Sequence, residues 1–242
     1  MKDFLQDLVS HIHTLGFLPL IKVSATTTET AIQAMAIDRS VIVDAKTKTA
    51  VDGLDGVFGM PNLNKLELHL KCPEYRTGEI ISIVKDKIDP TVLRGLHFQN
   101  AAGDFENNYR FMDSNIINEK LKSVKFKGAS WNIEFTPSIM SIQRLKLQAA
   151  AHSEERLFQF TTKDDNLLLS FGDESTHAGQ FVFQPNITGK LKTVWSYPVS
   201  QVLSILELDG EITIRISDSG AMQITIDSGI AEYNYILPAQ VK

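Results

Sequence analysis

The sequence GEIISIV occupies residues 78–84, and the closely similar GEITIRI occupies residues 210–216. Each copy is rich in the β-branched residues that favour strands, and each follows a leucine-rich stretch with helical spacing. The distance between the copies is slightly more than half of the 242 residues. A repeat at this distance predicts that one structural unit is used twice in the chain.

The first half of the chain has a mixed pattern of helix and strand. Apolar residues at helical spacing predict a helix over 2–15. Pro61 suits the first turn of a second helix over 60–71, and the glycine-rich residues 51–59 before it have the composition of a connection. The predicted strands lie at 19–25, 30–37, 40–45, 78–84, 95–101 and 105–112.

The second half repeats this order of elements. A helix is predicted over 136–153, with Thr136 as its N-cap and Pro137 in its first turn. A shorter helix, opened by Pro198, is predicted within 197–210. The predicted strands lie at 156–162, 166–172, 179–185, 210–216, 221–226 and 231–237.

These patterns predict an α+β protein made of two similar domains. The polar, basic residues between the halves show little periodicity and have the character of a linker. We therefore expect a first domain over 1–115, a linker over 116–130 and a second domain over 131–242. The alternative is that any α+β chain of this length gives such matches by chance.

Composition and charge limit the classes of function. The formal net charge is −5, 43% of the residues are hydrophobic and 22% are charged, which is typical of a soluble globular protein. An acidic chain argues against an ordinary DNA-binding domain, but not against a protein that gathers its cations on one surface. The single Cys72 excludes an internal disulfide framework and fits a cytoplasmic location. No apolar run is long enough to span a membrane.

The sequence contains no pattern typical of a catalytic or metal site. It lacks HExxH, paired CxxC, GxSxG, P-loop and GxGxxG motifs. His11 and His13 stand two positions apart on a predicted helix, where their side chains point in different directions and cannot chelate one ion. We expect a protein that is not an enzyme and that has no cofactor and no metal.

Cations are concentrated on the predicted helices and in the linker, whereas many acidic residues lie in turns. Taken singly, each lysine has the alternative interpretation of a solvated surface residue. The cationic residues are Lys65, His69 and Lys71 on the second helix, Arg144 and Lys146 on the helix over 136–153, and Lys120 and Lys122 in the linker.

With these features the chain resembles the DNA sliding clamps, the processivity factors of replicative DNA polymerases. The stretch DGLDGVFGMPNLNKLELHLKCPEYRTGEIISI (52–83) is similar to the first-domain helix and strand of the trimeric clamps of T-even-type tailed bacteriophages. The stretch GIAEYNYILPAQ (229–240) is similar to the last strand and tail of clamps generally, including proliferating cell nuclear antigen. The resemblance covers nearly the whole chain, and residues 85–130 match least well.

The resemblance implies the DNA-clamp fold, with helices on one face of antiparallel sheet in each domain, and a ring-forming homotrimer. Such a ring encircles double-stranded DNA without reading its sequence and binds the DNA polymerase and the clamp loader through short hydrophobic tails. It works in the cytoplasm of the host cell if a phage encodes it. The residues assigned in this way to the DNA-facing surface are Lys65, His69, Lys71, Arg144 and Lys146, with Lys120 and Lys122.

The resemblance also implies a pocket for the partner tails beside the domain junction and the C-terminal segment. The residues that match this region are Tyr235, Leu237, Pro238 and Ala239. For Tyr235 and Leu237 the alternative is an ordinary place in the core of a strand. The alternative for the whole protein is a non-enzymatic structural or assembly protein of a phage, such as a β-rich tail or baseplate component. An enzyme with an unfamiliar site is a third possibility.

Overall fold

The structure is a computed structural model that describes residues 1–76, 78–122, 126, 128–173, 175 and 177–240. Part of the predicted linker, residues 123–125 and 127, lies outside the described residues. The chain divides into two compact units. Unit 1 contains Met1–Lys125 and Ser228–Tyr233, and unit 2 contains Phe126–Asp227 and Asn234–Lys242.

Unit 1 combines three helices with two antiparallel sheets. The helices are α1 (Lys2–Ile12), which continues as a 3-10 turn over His13–Leu15, α2 (Leu63–Lys71) and α3 (Ser114–Lys120). The strands are β1 (Leu20–Ala25), β2 (Thr30–Met35), β3 (Ile42–Thr47), β4 (Gly56–Pro61), β5 (Ile80–Lys85), β6 (Leu93–Gln99) and β7 (Glu106–Arg110). The strand orders are β4-β1-β2-β3 and β5-β6-β7.

The described part of unit 2 has two α-helices and two sets of hydrogen-bonded antiparallel strands. The helices are α4 (Ile139–Ala151) and α5 (Val199–Leu206). The strands are β8 (Ile133–Phe135), β9 (Leu157–Lys163), β10 (Asn166–Phe171), β11 (Gly179–Gln184), β12 (Trp195–Pro198), β13 (Glu211–Ile216), β14 (Ala221–Asp227) and β15 (Ala231–Pro238). The strand orders are β12-β9-β10-β11 and β8-β13-β14-β15.

The same series of elements is used twice. In each half a helix is followed by four strands, a second helix and three strands, and the strands take the same order in the sheets. One described strand has no counterpart in unit 1: β8 comes before α4 and pairs with β13. The α+β class and the antiparallel sheets predicted from the sequence are confirmed. No helix in the described part of the chain is long and apolar enough to cross a membrane.

The two similar heptapeptides do not occupy equivalent positions in this duplication. In β5, Ile81 and Ile83 lie opposite Phe98 and Leu96, which are buried. In β13, the buried residues are those at positions 214 and 216, the fifth and seventh of their heptapeptide instead of the fourth and sixth. Because strand side chains alternate between faces, the two copies are out of phase by one residue. The two halves of the chain are therefore equivalent in the order of their elements, and the two similar heptapeptides are not equivalent residue by residue.

Several boundaries differ from those predicted. The glycine-rich residues before Pro61 form β4 instead of a connection, and α2 therefore begins at Leu63. The predicted N-cap Thr136 is wrong, because the Ser138 hydroxyl accepts a hydrogen bond from the Ser141 N–H at 3.0 Å. The strands β8 and β12 escaped prediction because they have only three and four residues, and β4 escaped it because its sequence contains two glycines and a proline. The basic residues before 121 include the helix α3, which begins after the N-cap Asp113.

A buried polar cluster fixes α1 within unit 1. The Asp7 carboxylate accepts hydrogen bonds from the Tyr233 hydroxyl at 2.7 Å and from the Ser228 hydroxyl at 3.1 Å. The buried His11 ring lies 3.2 Å from Asp7 and stacks on Tyr233 with ring centroids 4.7 Å apart. Burial by itself raises the pKa of Asp7, but hydrogen bonds from His11, Tyr233 and Ser228 outweigh it and hold the pKa below its ordinary value.

We expect Asp7→Asn to lower the free energy of unfolding by about 1–3 kcal/mol at pH 7, since it weakens several buried hydrogen bonds to a charged group. A depressed folded-state pKa contributes stability above the unfolded pKa of about 4 and loses it as the pH falls through the folded value. The difference between the variant and the unchanged protein should therefore narrow below about pH 4. Urea denaturation of both proteins at a series of pH values measures this difference in the free energy of unfolding.

Asp3→Asn is the matched control, because Asp3 is an exposed carboxylate on the same helix. It should change the stability by less than about 0.5 kcal/mol at pH 7. An Asp7→Asn variant as stable as this control at pH 7 would contradict the role assigned to the cluster.

Candidate nucleic-acid interface and peptide groove

The predicted DNA-facing residues of α2 lie on one helix but differ in their charge state. Lys65 and Lys71 are exposed, and the Lys71 ammonium is 2.6 Å from the Glu67 carboxylate. His69 is half-buried, with its ring centroid 5.2 Å from that of Phe98. Burial, with the nearby charge of Lys65, lowers the pKa of His69. His69 therefore contributes a neutral ring at pH 7, and Lys65 is the cation of α2 that makes no ion pair with a described residue.

The predicted cations of α4 in unit 2 show the same division. Arg144 is exposed and forms no ion pair within the described residues. Lys146 is half-buried, and its ammonium is 2.9 Å from the carboxylate of Glu207 at the end of α5. The long side chain of Lys146 brings its ammonium group to the surface although the residue is half-buried, as snorkelling requires.

The exposed face of α4 around Arg144 is mostly apolar. Ile139, Met140 and Leu147 have 78%, 63% and 71% of their surface exposed. In unit 1 the exposed side of α1 bears Asp3 and Gln6 and no lysine. The helices thus carry few free cations, so they generate only a weak field for phosphate groups.

Lys120 and Lys122 lie apart from the α2 cations in the sequence of elements. Lys120 is the last residue of α3, Lys122 follows shortly after it, and both are exposed. The structure shows no ion pair between either lysine and another described residue. Their predicted place on the DNA-facing surface stays a prediction.

The four residues predicted for the partner-tail pocket differ sharply in their burial. Tyr235 and Leu237 have no exposed surface and are part of the core of β15. Pro238 is exposed, and Ala239 is half-buried, with its N–H donating to the Gly220 carbonyl at 2.7 Å. Of these four residues, only Pro238 and Ala239 therefore present surface that a partner could contact.

A groove that the sequence analysis did not predict lies on β2 and β3 in unit 1. Met35 is the cross-strand neighbour of Ile42, and Gln33 donates to the Asp44 carboxylate at 2.9 Å in the adjacent pair. These four side chains are half-buried on the outward face, and Leu121 lines the groove beside them. The sequence indicates this groove in one way: Met35 and Ile42 are apolar, although they occupy the alternate positions of β2 and β3 that otherwise carry polar side chains such as Gln33 and Asp44.

Each unit also has an edge strand with exposed side chains. The strand β7 is last in the order β5-β6-β7, and β11 is last in the order β12-β9-β10-β11. Val182 on β11 and Phe105 just before β7 have 36% and 39% of their surface exposed. Unpaired backbone groups along such edges can bind a strand of another chain.

The described residues contain no group of three or more His, Cys, Asp or Glu side chains that could hold a metal ion. The exposed or half-buried residues predicted from the sequence lie at four places: on α2, on α4, at and just after the end of α3, and at the end of β15 with Ala239.

No protein-family model and no curated protein matches the sequence. Solved structures are similar over the whole chain. Against the PCNA of A. fulgidus, in a structure with the C-terminal region of FEN-1 bound, the TM-score is 0.71 at 11% identity, covering 100% of this chain and 96% of that one. Against the PCNA of Thermococcus kodakaraensis, the TM-score is 0.70 at 13% identity, covering 99% and 97%. The chain therefore has the fold of the PCNA sliding clamps.

Proposed function

We propose that the protein is a non-enzymatic sliding clamp that encircles duplex DNA as a homotrimeric ring and tethers the replicative DNA polymerase. The observation that carries this proposal is the likeness to PCNA clamps over the full chain, together with the repeated order of elements. In this role a clamp loader opens the ring, and the chain works in the cytoplasm of a host cell infected by a tailed phage. The similarity of residues 52–83 to phage clamps supports that origin.

Ring closure needs a surface at each end of the protomer, and β7 and β11 supply a pair of edges. Antiparallel addition of β11 from one protomer to β7 of the next satisfies the unpaired backbone groups of both strands. Such a contact is heterologous, so it generates a closed ring when the rotation between protomers is one third of a turn. Three chains of two like units then form a ring from six copies of one arrangement of elements.

The electrostatics of the helices suit a ring that slides. Each phosphate neutralised by a lysine or arginine adds salt-dependent affinity, and strong binding would slow movement along DNA. Lys65 and Arg144 form no ion pair with any residue that the structure describes, whereas the ion pairs with Glu67 and Glu207 reduce the field of Lys71 and Lys146. The weak positive field of the helices therefore fits a ring that is held on DNA because it encloses the duplex, and not because it binds the phosphates tightly.

The shallow groove of Met35 and Ile42 is an apolar surface of unit 1 that a hydrophobic tail of a partner can cover. An extended or helical peptide can bury apolar side chains against these residues and Leu121. Gln33 and Asp44 at one end of the groove offer polar contacts that fix the orientation of the peptide. We assign this groove to the polymerase and the clamp loader.

The first expected outcome concerns the oligomer. Multi-angle light scattering of the purified protein should give about three protomer masses.

Val182→Asp removes an apolar side chain from the edge of β11 and places a carboxylate beside the added strand, so it should weaken association at least tenfold, about 1.4 kcal/mol. Val194→Asp, at an exposed valine outside the strands of the same unit, is the control and should leave the mass unchanged. A monomer at high concentration, or an open polymer, would contradict the ring.

A second expectation concerns the DNA-facing cations. Reversing the charge at Lys65, Lys71 and Arg144 should reduce loader-dependent retention on nicked circular DNA and shorten the products of processive synthesis. The protein should remain folded because these three side chains are exposed. Among the single variants, those at Lys65 and Arg144 should have the larger effects, since Lys71 is already paired with Glu67.

The control for this variant is charge reversal at Arg156, Lys163 and Lys192, which are exposed cations of unit 2 outside its helices. It changes the net charge by the same amount, so it separates a local effect from a general one. Equal processivity of the two triple variants would remove the assignment of Lys65, Lys71 and Arg144 to the DNA-facing surface.

The third expectation concerns the groove. Met35→Glu places a charge where an apolar tail would be buried, so binding of the C-terminal peptide of the cognate polymerase should weaken at least tenfold. Fluorescence anisotropy with a labelled peptide measures this change. Ile230→Glu introduces the same charge at a partly exposed isoleucine of unit 1 and should bind the peptide normally. Undiminished binding by Met35→Glu would place the partner site elsewhere.

A further inference from the structure

The repeated order of elements has one gap. In unit 2, β8 precedes α4 and pairs antiparallel with β13, covering the edge of the sheet β13-β14-β15. The corresponding strand of unit 1 would precede α1 and would pair with β5. No strand among the described residues pairs with that edge, so β5 ends its sheet.

The start of α1 lies at the correct end of β5 for such a strand. The Lys2 ammonium donates to the Tyr75 carbonyl at 3.3 Å and pairs with the Glu79 carboxylate, directly before β5. In unit 2, β8 runs antiparallel beside the second half of β13, with its last residue Phe135 next to Ile214, so the chain that continues to α4 leads toward the start of β13. The two units therefore present the same position for an added strand, and among the described residues a strand occupies it in unit 2 alone.

The edge of β5 is apolar and uncovered. None of the six residues of β5 is buried, and Ile80 and Val84 have 53% and 36% of their surface exposed. In β13, by contrast, Ile214 and Ile216 are almost completely buried beneath the sheet that β8 extends. A long apolar edge of this kind is rare in proteins that keep it exposed to water, because it binds other strands.

An ordered turn extends this apolar surface beyond β5. The Asp86 carboxylate accepts hydrogen bonds from the N–H groups of Ile88 at 2.8 Å and of Asp89 at 3.1 Å, and from Arg94 Nε at 2.7 Å. These bonds hold the turn in one conformation. Ile88 at its tip has 95% of its surface exposed.

The strand β8 shows what a suitable occupant contains. It has three residues, and its first and last, Ile133 and Phe135, are buried. Its middle residue, Glu134, points away from the core and forms a two-pronged contact with Arg215 on β13, with Nε 3.0 Å from the carboxylate. A short segment with two apolar residues around an acidic one thus pairs with the equivalent edge of unit 2.

The charges beside β5 select an acidic occupant. Glu79 is paired with Lys2, and Asp86 is paired with Arg94. Lys85 and Lys87 are exposed and make no ion pair with a described residue, and Asp89 is the nearby acidic residue outside these pairs. A second copy of β5 would set Lys85 opposite a Glu79 that is already neutralised, so an acidic segment of another protein fits better.

We propose that the edge of β5 binds an extended segment of a partner protein as an additional antiparallel strand. The segment has apolar residues at alternate positions, facing Ile81 and Ile83, and acidic residues that meet Lys85 and Lys87. Backbone hydrogen bonds supply the affinity in this mode of recognition, and the side chains supply the specificity. The site is distinct from the groove on β2 and β3, and it does not depend on ring closure.

The probe is a labelled peptide with the sequence of residues 131–137, which contains β8 and its connection to α4. We expect saturable binding by fluorescence anisotropy and slower amide hydrogen exchange in residues 80–85, with no change in β7 or β11. The control peptide has Pro in place of the residue corresponding to Glu134, which removes a strand N–H and should not bind. Slower exchange confined to β7 or β11, or equal binding of the two peptides, would overturn the proposal.

Charge variants test the selection of an acidic strand. When Ile133 and Phe135 of the peptide face Ile83 and Ile81, the residue corresponding to Trp131 falls opposite Lys85, so the peptide for this test has Glu at that position. Lys85→Glu should weaken its binding about two- to fivefold, as expected for the loss of an exposed ion pair. A peptide with Lys in place of the acidic residue should reverse this order of affinities. Lys163→Glu, at an exposed lysine of unit 2, is the control and should bind as the unchanged chain does.

A covalent version supplies the occupant within the chain. Placing the sequence of residues 131–137 directly before Met1 reproduces the spacing between β8 and α4, so the extension should pair with β5. The expected result is a Tm several degrees higher and loss of peptide binding. An unchanged Tm with undiminished peptide binding would overturn the proposal. Self-association that Lys85→Glu abolishes, without peptide binding, would assign the edge to a second copy and overturn it equally.

Discussion

The free edges of the antiparallel sheets are the constraint on which the rest of this structure depends. A strand at an edge leaves a row of N–H and C=O groups without partners, and a protein must cover, charge or pair them. Here the edges of β7, β11 and β5 end their sheets in the described part of the chain. In the proposed ring the first two pair between protomers, and no described strand pairs with the free edge of the third.

The second theme is electrostatic restraint on the helices. A protein that surrounds DNA and moves along it needs few strong phosphate contacts, and the ion pairs of Lys71 and Lys146 reduce an already modest number of free cations. Burial of His69 removes another potential charge at neutral pH. The acidic composition of the chain is therefore compatible with its proposed role, because a closed ring stays on DNA by encircling it and does not need high affinity for the phosphates.

Much of the fold could be predicted from local patterns. The amphipathic spacing of α1 and the apolar alternation of most strands depend on neighbours in sequence, so single segments reveal them. The short strands could not be predicted in this way, since β8 has three residues and acquires its identity from pairing with β13. The heptapeptide repeat led to the correct architecture, although Ile81 and Ile214 show that its copies are out of phase.

The candidate sites also differ in how far the sequence could predict them. Sequence alone determined the α+β class, the doubled order of elements and the helices that carry Lys65 and Arg144, because periodicity and composition are properties of consecutive residues. Only the tertiary structure decided that Tyr235 and Leu237 are buried, that Lys146 is paired with Glu207, that Met35 and Ile42 form a groove, and that the edge of β5 is open. Burial, ion pairing and edge exposure depend on residues distant in sequence, and the spacing of residues along one chain does not contain them.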